Sequence, residues 1–152
     1  RVVVGPPQPV PAGVVVVREV PPGGGPVRGL RAGLDAVEGA EVVAVLAADL
    51  PFLTPAVVTA LRERLTGDGV VVVDATGRDQ HLLGVWRTAA LRAAVAGVDG
   101  PTSMRAVLAD LAVRRYRPDV VPGVPPPWTD CDTPADLERA RAAAGVPRRP
   151  PG

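Results

Sequence analysis

Short, unbroken apolar runs constrain this chain more than any other feature. Residues 14–17 and 70–73 and the stretches Val2–Val4 and Val42–Leu46 are apolar at every position. A strand without polar alternation is buried on both faces, which is the habit of strands in parallel sheets. Between these runs lie segments with helical spacing. Leu30, Leu34 and Val37 follow Pro26, a residue suited to the first position of a helix, and that pattern stops near Gly39. Thr54-Pro55 opens a second helix running to about Leu65, and Thr88 opens a third, rich in Ala and Leu, that ends at Gly97. Strands alternating with helices predict an α/β architecture, a mostly parallel sheet with helices on both faces. Ligands of such sheets bind at the carboxyl ends of the strands.

The remaining elements are shorter. Residues 81–86 read as a fifth strand, 104–111 as a helix capped at Ser103, and Val113–Tyr116 as a short edge strand. Residues 128–130 read as a last short strand, and Thr133-Pro134 starts a final helix over 135–144. One domain is expected over residues 1–146, with a tail at 147–152. No internal repeat is visible.

Composition removes several classes of function. Of 152 residues, 47% are hydrophobic and 22% charged, a globular profile rather than a disordered one. Formal net charge is +1, which suits neither a nucleic-acid binder nor a polybasic membrane binder. No apolar run reaches the roughly 20 residues of a membrane span. Cys131 is the only cysteine, so no internal disulfide can form, and a reducing, cytoplasmic setting is expected. All 17 basic residues are Arg, and Lys, Ile and Asn are absent, as GC-rich coding would produce. The chain opens at Arg1, almost inside a strand, which suggests that an N-terminal piece is missing.

A few residues stand where chemistry is done. Asp49 follows the run Val42–Leu46, and Pro51 stiffens the turn. A carboxylate at that edge can hold Mg²⁺, which takes one or two carboxylates plus phosphate oxygens, or it can be a loop acid that caps a helix. Asp130 and Asp132 lie two apart, so in an extended segment both face one ligand. Asp132 also precedes a helix start and could serve as its cap. Gly23-Gly24-Gly25-Pro26 links a strand to a helix, and glycines let backbone N–H groups approach an anion or a base. It is neither a P-loop nor a dinucleotide fingerprint. His81, Cys131 and Ser103 are each single, and no nucleophile elbow accompanies them, so they read as structural.

Four segments, in order, resemble the molybdenum cofactor guanylyltransferases of the MobA-like nucleotidyltransferase superfamily. Arg18-Glu19-Val20-Pro21-Pro22-Gly23-Gly24-Gly25-Pro26, with Gly29-Leu30, is similar to that family's R-E-x-P-x-x-G-G-P-x-x-G-L stretch. Ala48-Asp49-Leu50-Pro51-Phe52-Leu53 is similar to its D-M-P-F-L segment. Gly77-Arg78-Asp79-Gln80, followed by Leu82 and Trp86, is similar to its G-R-x-Q strand. Asp130-Cys131-Asp132-Thr133-Pro134-Ala135-Asp136-Leu137 is similar to its T-P-x-D-L end. The family's opening L-A-G-G-x-S-x-R-x-G-x-D-K loop has no counterpart here.

The resemblance implies a three-layer Rossmann-like fold without its first strand and phosphate loop. It also implies transfer of GMP from GTP to molybdopterin-bound molybdenum cofactor with release of pyrophosphate. In that reading Asp49 is catalytic and holds Mg²⁺ together with Asp132 and, more weakly, Asp130. Gly25 and Pro26 lie beside the nucleotide, and Arg78 and Gln80 face the acceptor. GTP and molybdopterin are the implied partners, with homo-oligomers and a molybdoenzyme or chaperone contact left open. A cytidylyltransferase for the same pterin, a 2-phospholactate guanylyltransferase and a catalytically dead binding module remain alternatives. Without the phosphate loop, the chain as it stands is expected to be inactive and to bind GTP weakly. It is also expected to tend to associate and to leave a strand position vacant near Val42–Leu46.

Overall fold

The computed structural model describes residues 1–98 and 100–143. The expected tail at 147–152, and the end of the last helix at Ala144, lie outside the described residues. The chain runs β1 (Val2–Val4), β2 (Val15–Val17), α1 (Pro26–Asp35), β3 (Val42–Leu46), α2 (Pro55–Glu63) and β4 (Gly69–Val73). It continues through β5 (Asp79–Arg87), α3 (Thr88–Ala96), α4 (Met104–Val107), β6 (Val113–Tyr116) and α5 (Pro134–Ala143). No helix among these residues is long and apolar enough to cross a membrane.

The strands form two sheets. β1 and β2 pair in parallel, and a second sheet has the order β3-β5-β4-β6. β5 is antiparallel to both β3 and β4, while β4 and β6 are parallel. Hence β3, β4 and β6 share one direction and β5 opposes them. Of the apolar runs only β4 meets the expectation of burial on both faces, with all five residues buried; β1, β2 and β3 are half-buried or exposed because each has a single strand neighbour among the described residues. Two clusters form the core, one on each face of the larger sheet. Val27 and Leu34 of α1 join Val71, Trp86, Leu91 and Val95 on one side. Leu61 of α2 joins Val70, Val72, Leu83 and Val85 on the other. The sheet is therefore a middle layer between helices, as the apolar runs predict.

β3 combines features of a central and an edge strand. Val43 and Val45 pack toward the α1 side and Val42 toward the α2 side, where Ala44 and Leu46 stay exposed. Among the described residues the only strand partner of β3 is β5. Bonds from Thr88 N to Glu41 O and from Ala47 N to Leu82 O place residues 41, 43, 45 and 47 toward β5. The amide and carbonyl groups of Val42, Ala44 and Leu46 consequently point outward, and Leu46 is 41% exposed. No charge, proline or bulge guards this edge.

α1 spans both sheets. Gly29 and Gly33 face Val4 of β1, and a Cβ on Gly33 would come within 2.9 Å of a Val4 methyl. At its carboxyl end the Leu34 and Val37 carbonyls accept from Arg92 Nη2 of α3, at 2.9 and 2.6 Å. A cation there satisfies the helix's open carbonyls and complements its dipole.

Four local expectations change. The helix expected over 104–111 closes after one turn, with Leu108 as its C-cap, although Ser103 Oγ does accept from Ala106 N at 3.2 Å. Residues 128–130 form no strand; a Pro126 carbonyl accepts from Thr129 N at 3.0 Å and turns the chain after three prolines. Thr88 is the first residue of α3 rather than its cap, and its buried hydroxyl has no partner among the described residues. Thr54 occupies the cap position of α2 without a side-chain bond to the helix.

Candidate functional site

Asp49 sits in the turn that leaves β3, between the strand's carboxyl end and α2. It is exposed, and its carboxylate makes no hydrogen bond or ion pair among the described residues. Both oxygens are free to take a cation or a donor.

The glycine loop is shaped by two side chains. Glu19 Oε1 accepts from Gly23 N at 2.9 Å, and its own and neighbouring backbone N–H bonds lower the Glu19 pKa. Gly25 holds φ at +83°, a left-handed conformation that side chains disfavour, and lets Pro26 enter α1 at its first position. The Arg28 stem lies over Gly24, and a Cβ there would displace it, meeting Arg28 Cδ at 2.2 Å. Gly25 and Pro26 thus stand at the amino end of α1, where N–H groups and the dipole favour anions.

Arg78 and Gln80 belong to the turn from β4 into β5, organised by a residue that motif reading passed over. Asp74, only 9% exposed, accepts at Oδ1 from Thr76 Oγ1 (2.6 Å), Thr76 N (2.8 Å) and Arg78 N (3.0 Å). Its Oδ2 accepts from Gln80 Nε2 at 2.8 Å. The Thr76 hydroxyl and Arg78 N–H are the main causes that hold its pKa at about 2 against a burial effect of opposite sign. The available signal was an acid two residues before Thr-Gly, which is how an Asx-turn begins. Arg115 ties the same loop to β6, donating to Asp79 Oδ1 and Gly77 O, both at 2.6 Å. Gln80 therefore spends its amide donor on the loop, while Arg78 is exposed.

A lowered carboxyl pKa contributes stability that is present above the unfolded value, near 3.8, and is lost as pH falls toward about 2. Asp74→Asn keeps the shape and removes the charge. We expect amide exchange at Thr76 and Arg78 to quicken about tenfold, a loss of about 5 °C in Tm at pH 7, and a shallower fall in Tm between pH 4 and pH 2 than in the parent. Unchanged exchange at both amides would rule out this role for Asp74.

The Asp130–Asp136 segment divides by residue. Thr133 N and Oγ1 donate to Asp136 Oδ2 at 2.8 and 2.6 Å, and Asp136 N donates back to Thr133 Oγ1 at 3.2 Å. This is a reciprocal cap, so the cap is made by Thr133 and Asp136 rather than Asp132. Asp130 and Asp132 are exposed, with no side-chain partner among the described residues. No three His, Cys, Asp or Glu side chains among the described residues gather into a group able to hold a metal ion. Asp49, Asp130 and Asp132 therefore do not form one three-carboxylate set in this structure.

Comparison with known proteins gives a consistent family and fold. The MobA-like NTP transferase domain matches residues 1–116. Molybdopterin-guanine dinucleotide biosynthesis protein A from Archaeoglobus fulgidus is similar in structure, with a TM-score of 0.60 and 22% identity over 86% of this chain and 68% of that one. A protein from Aquifex aeolicus VF5 is similar with a TM-score of 0.57 and 20% identity, over 70% of this chain and 56% of that one. At such identities the likeness is one of fold. Among curated proteins, no sequence matches this chain at a significant level.

Proposed function

The chain belongs to the MobA-like NTP transferase domain family, and from that membership we propose that it moves GMP from GTP onto the terminal phosphate of molybdopterin-bound molybdenum cofactor. The observation that carries this reading is Asp49: an exposed, unengaged carboxylate at the end of β3, inside the D-L-P-F-L segment. The likeness to a molybdopterin-guanine dinucleotide biosynthesis protein supports the choice of acceptor.

Oxygen donors suit Mg²⁺, and a phosphate-bound Mg²⁺ needs only one or two protein carboxylates. Asp49 fits that demand, and Asp132 is the second candidate, with Asp130 behind it. When bound, the ion neutralises charge on the phosphate oxygens. The chain's own residues supply position. Gly25 and Pro26 place the amino end of α1 beside the nucleotide, and Arg78 offers a cation to the acceptor phosphate. Gln80 has its amide fixed on Asp74, leaving its carbonyl oxygen for the acceptor side. An acceptor phosphate oxygen bonds to the α-phosphorus as the bond to the β-phosphate oxygen breaks, and pyrophosphate leaves. No general base is needed, because the attacking phosphate is already ionised.

GTP should be used in preference to CTP and ATP in a competition assay on the full product of the gene, by about tenfold or more. Equal incorporation of CMP would move the assignment to a cytidylyltransferase.

A further inference from the structure

Away from Asp49, a cleft of about 530 Å³ opens between α1, the segment after β2 and the carboxyl end of α3. α1 divides its surface three ways. Its glycines meet β1, and Val27, Leu30 and Leu34 enter the core. Arg28, Arg31, Ala32 and Asp35 line the cleft. Arg18 adds a third guanidinium, while Val27, Val95 and Val98 supply apolar wall. Arg28, Arg31 and Arg18 make no ion pair within 4 Å among the described residues.

Among the described residues two acids line the cleft, Glu19 and Asp35, and neither makes an ion pair within 4 Å with these arginines. Glu19 turns its carboxylate to Gly23 N, although it feels the field of Arg18. Asp35 stands four residues after Arg31 on the same face of α1, near it but not ion-paired with it. The walls are also fixed. Arg28's stem lies across the bare Gly24 backbone, and Arg92 ties the carboxyl end of α1 to α3. Guanidinium groups offer planar, paired N–H donors that match phosphate oxygens. A rim of arginines over an apolar wall suits an anion with an organic body.

We infer that this cleft is a second ligand site, which binds a phosphate monoester: the phosphate on Arg18, Arg28 and Arg31, the apolar body on Val98 and the outer edges of Val27 and Val95. The cleft adjoins the amino end of α1, since Val27 and Arg28 follow Pro26 in its first turn, but Asp49, Gly25, Pro26, Arg78 and Gln80 do not line it.

Isothermal titration of the full chain with phenyl phosphate, inorganic phosphate and phenol at low salt tests it. Phenyl phosphate should bind about tenfold more tightly than inorganic phosphate, through the buried ring, and phenol should not bind measurably. Arg28→Ala with Arg31→Ala should weaken phenyl phosphate by about tenfold or more. Asp49→Asn should leave that affinity unchanged, which separates this site from the nucleotide site. Should the double variant fail to fold, Arg31→Gln at an exposed position should still weaken binding several-fold. Phenyl phosphate affinity that ignores these arginine changes, or that phenol matches, would overturn the site. Equal binding of inorganic and phenyl phosphate would overturn the apolar seat.

Discussion

Asp49→Asn is expected to cut nucleotidyl transfer by the full product of the gene about 10²- to 10³-fold, with Tm unchanged to within about 1 °C. Both halves follow from one observation. The Asp49 carboxylate is exposed and makes no bond among the described residues, so folding loses nothing when it becomes an amide. Phosphoryl transfer between two anions depends on cancelling charge at the reacting phosphate. An amide brings one neutral oxygen where a carboxylate brings two that share a negative charge. Asp132→Asn and Asp130→Asn should each cost less, because Asp49 stands at the strand's carboxyl end and the three carboxylates do not form one set of ligands among the described residues. Pyrophosphate release, followed against Mg²⁺ concentration, is the measurement. Near-parental turnover by Asp49→Asn would remove Asp49 from the chemistry, and a larger loss in Asp132→Asn would transfer the leading role to it.

The order of elements was legible because apolar runs and helical spacing are local. Gly69–Val73 is buried on face and back, as an all-apolar run demands, while Val42–Leu46 forms its strand at the sheet's edge. Pairing was not legible in the same way. Nothing in residues 81–86 says that this strand runs against both neighbours, or that its register with β4 slips between Val71 and Val72. Those features come from contacts between distant segments. At the site, Asp49's place at a strand end could be read from its neighbours. The Asp74 network could not be read from motifs, because its four bonds come from Thr76, Arg78 and Gln80 at spacings set by the turn itself. Whether Asp132 caps α5 was left open in the sequence for a similar reason. Either side chain is chemically able to cap α5, and only the backbone path shows that Thr133 does.

Gly69 and Gly84 are expected to be as intolerant of a methyl group as any position in the core, for a reason that lies in Trp86. The indole is fully buried, and Gly69 stands directly across from it on β4, while Gly84 precedes it by two residues on the same face of β5. A Cβ at Gly69 would sit 2.1 Å from Trp86 Cε3. A Cβ at Gly84 would sit 2.7 Å from the Val70 carbonyl oxygen and 2.9 Å from Trp86 Nε1. The two glycines therefore make the floor on which the ring lies. Overpacking of this kind costs about 3 kcal/mol, which for a domain of this size lowers Tm by roughly 10 °C. Gly69→Ala and Gly84→Ala should both show that loss, but their responses to a smaller partner should differ. Replacing Trp86 by Leu removes the ring that blocks Gly69, so Gly69→Ala in the Trp86→Leu background should cost well under its value in the parent. The backbone obstacle at Gly84 stays in place, so Gly84→Ala should remain costly in both backgrounds. Thermal melts of the two cycles decide it: additive losses at Gly69 would show that Trp86 is not what that glycine accommodates.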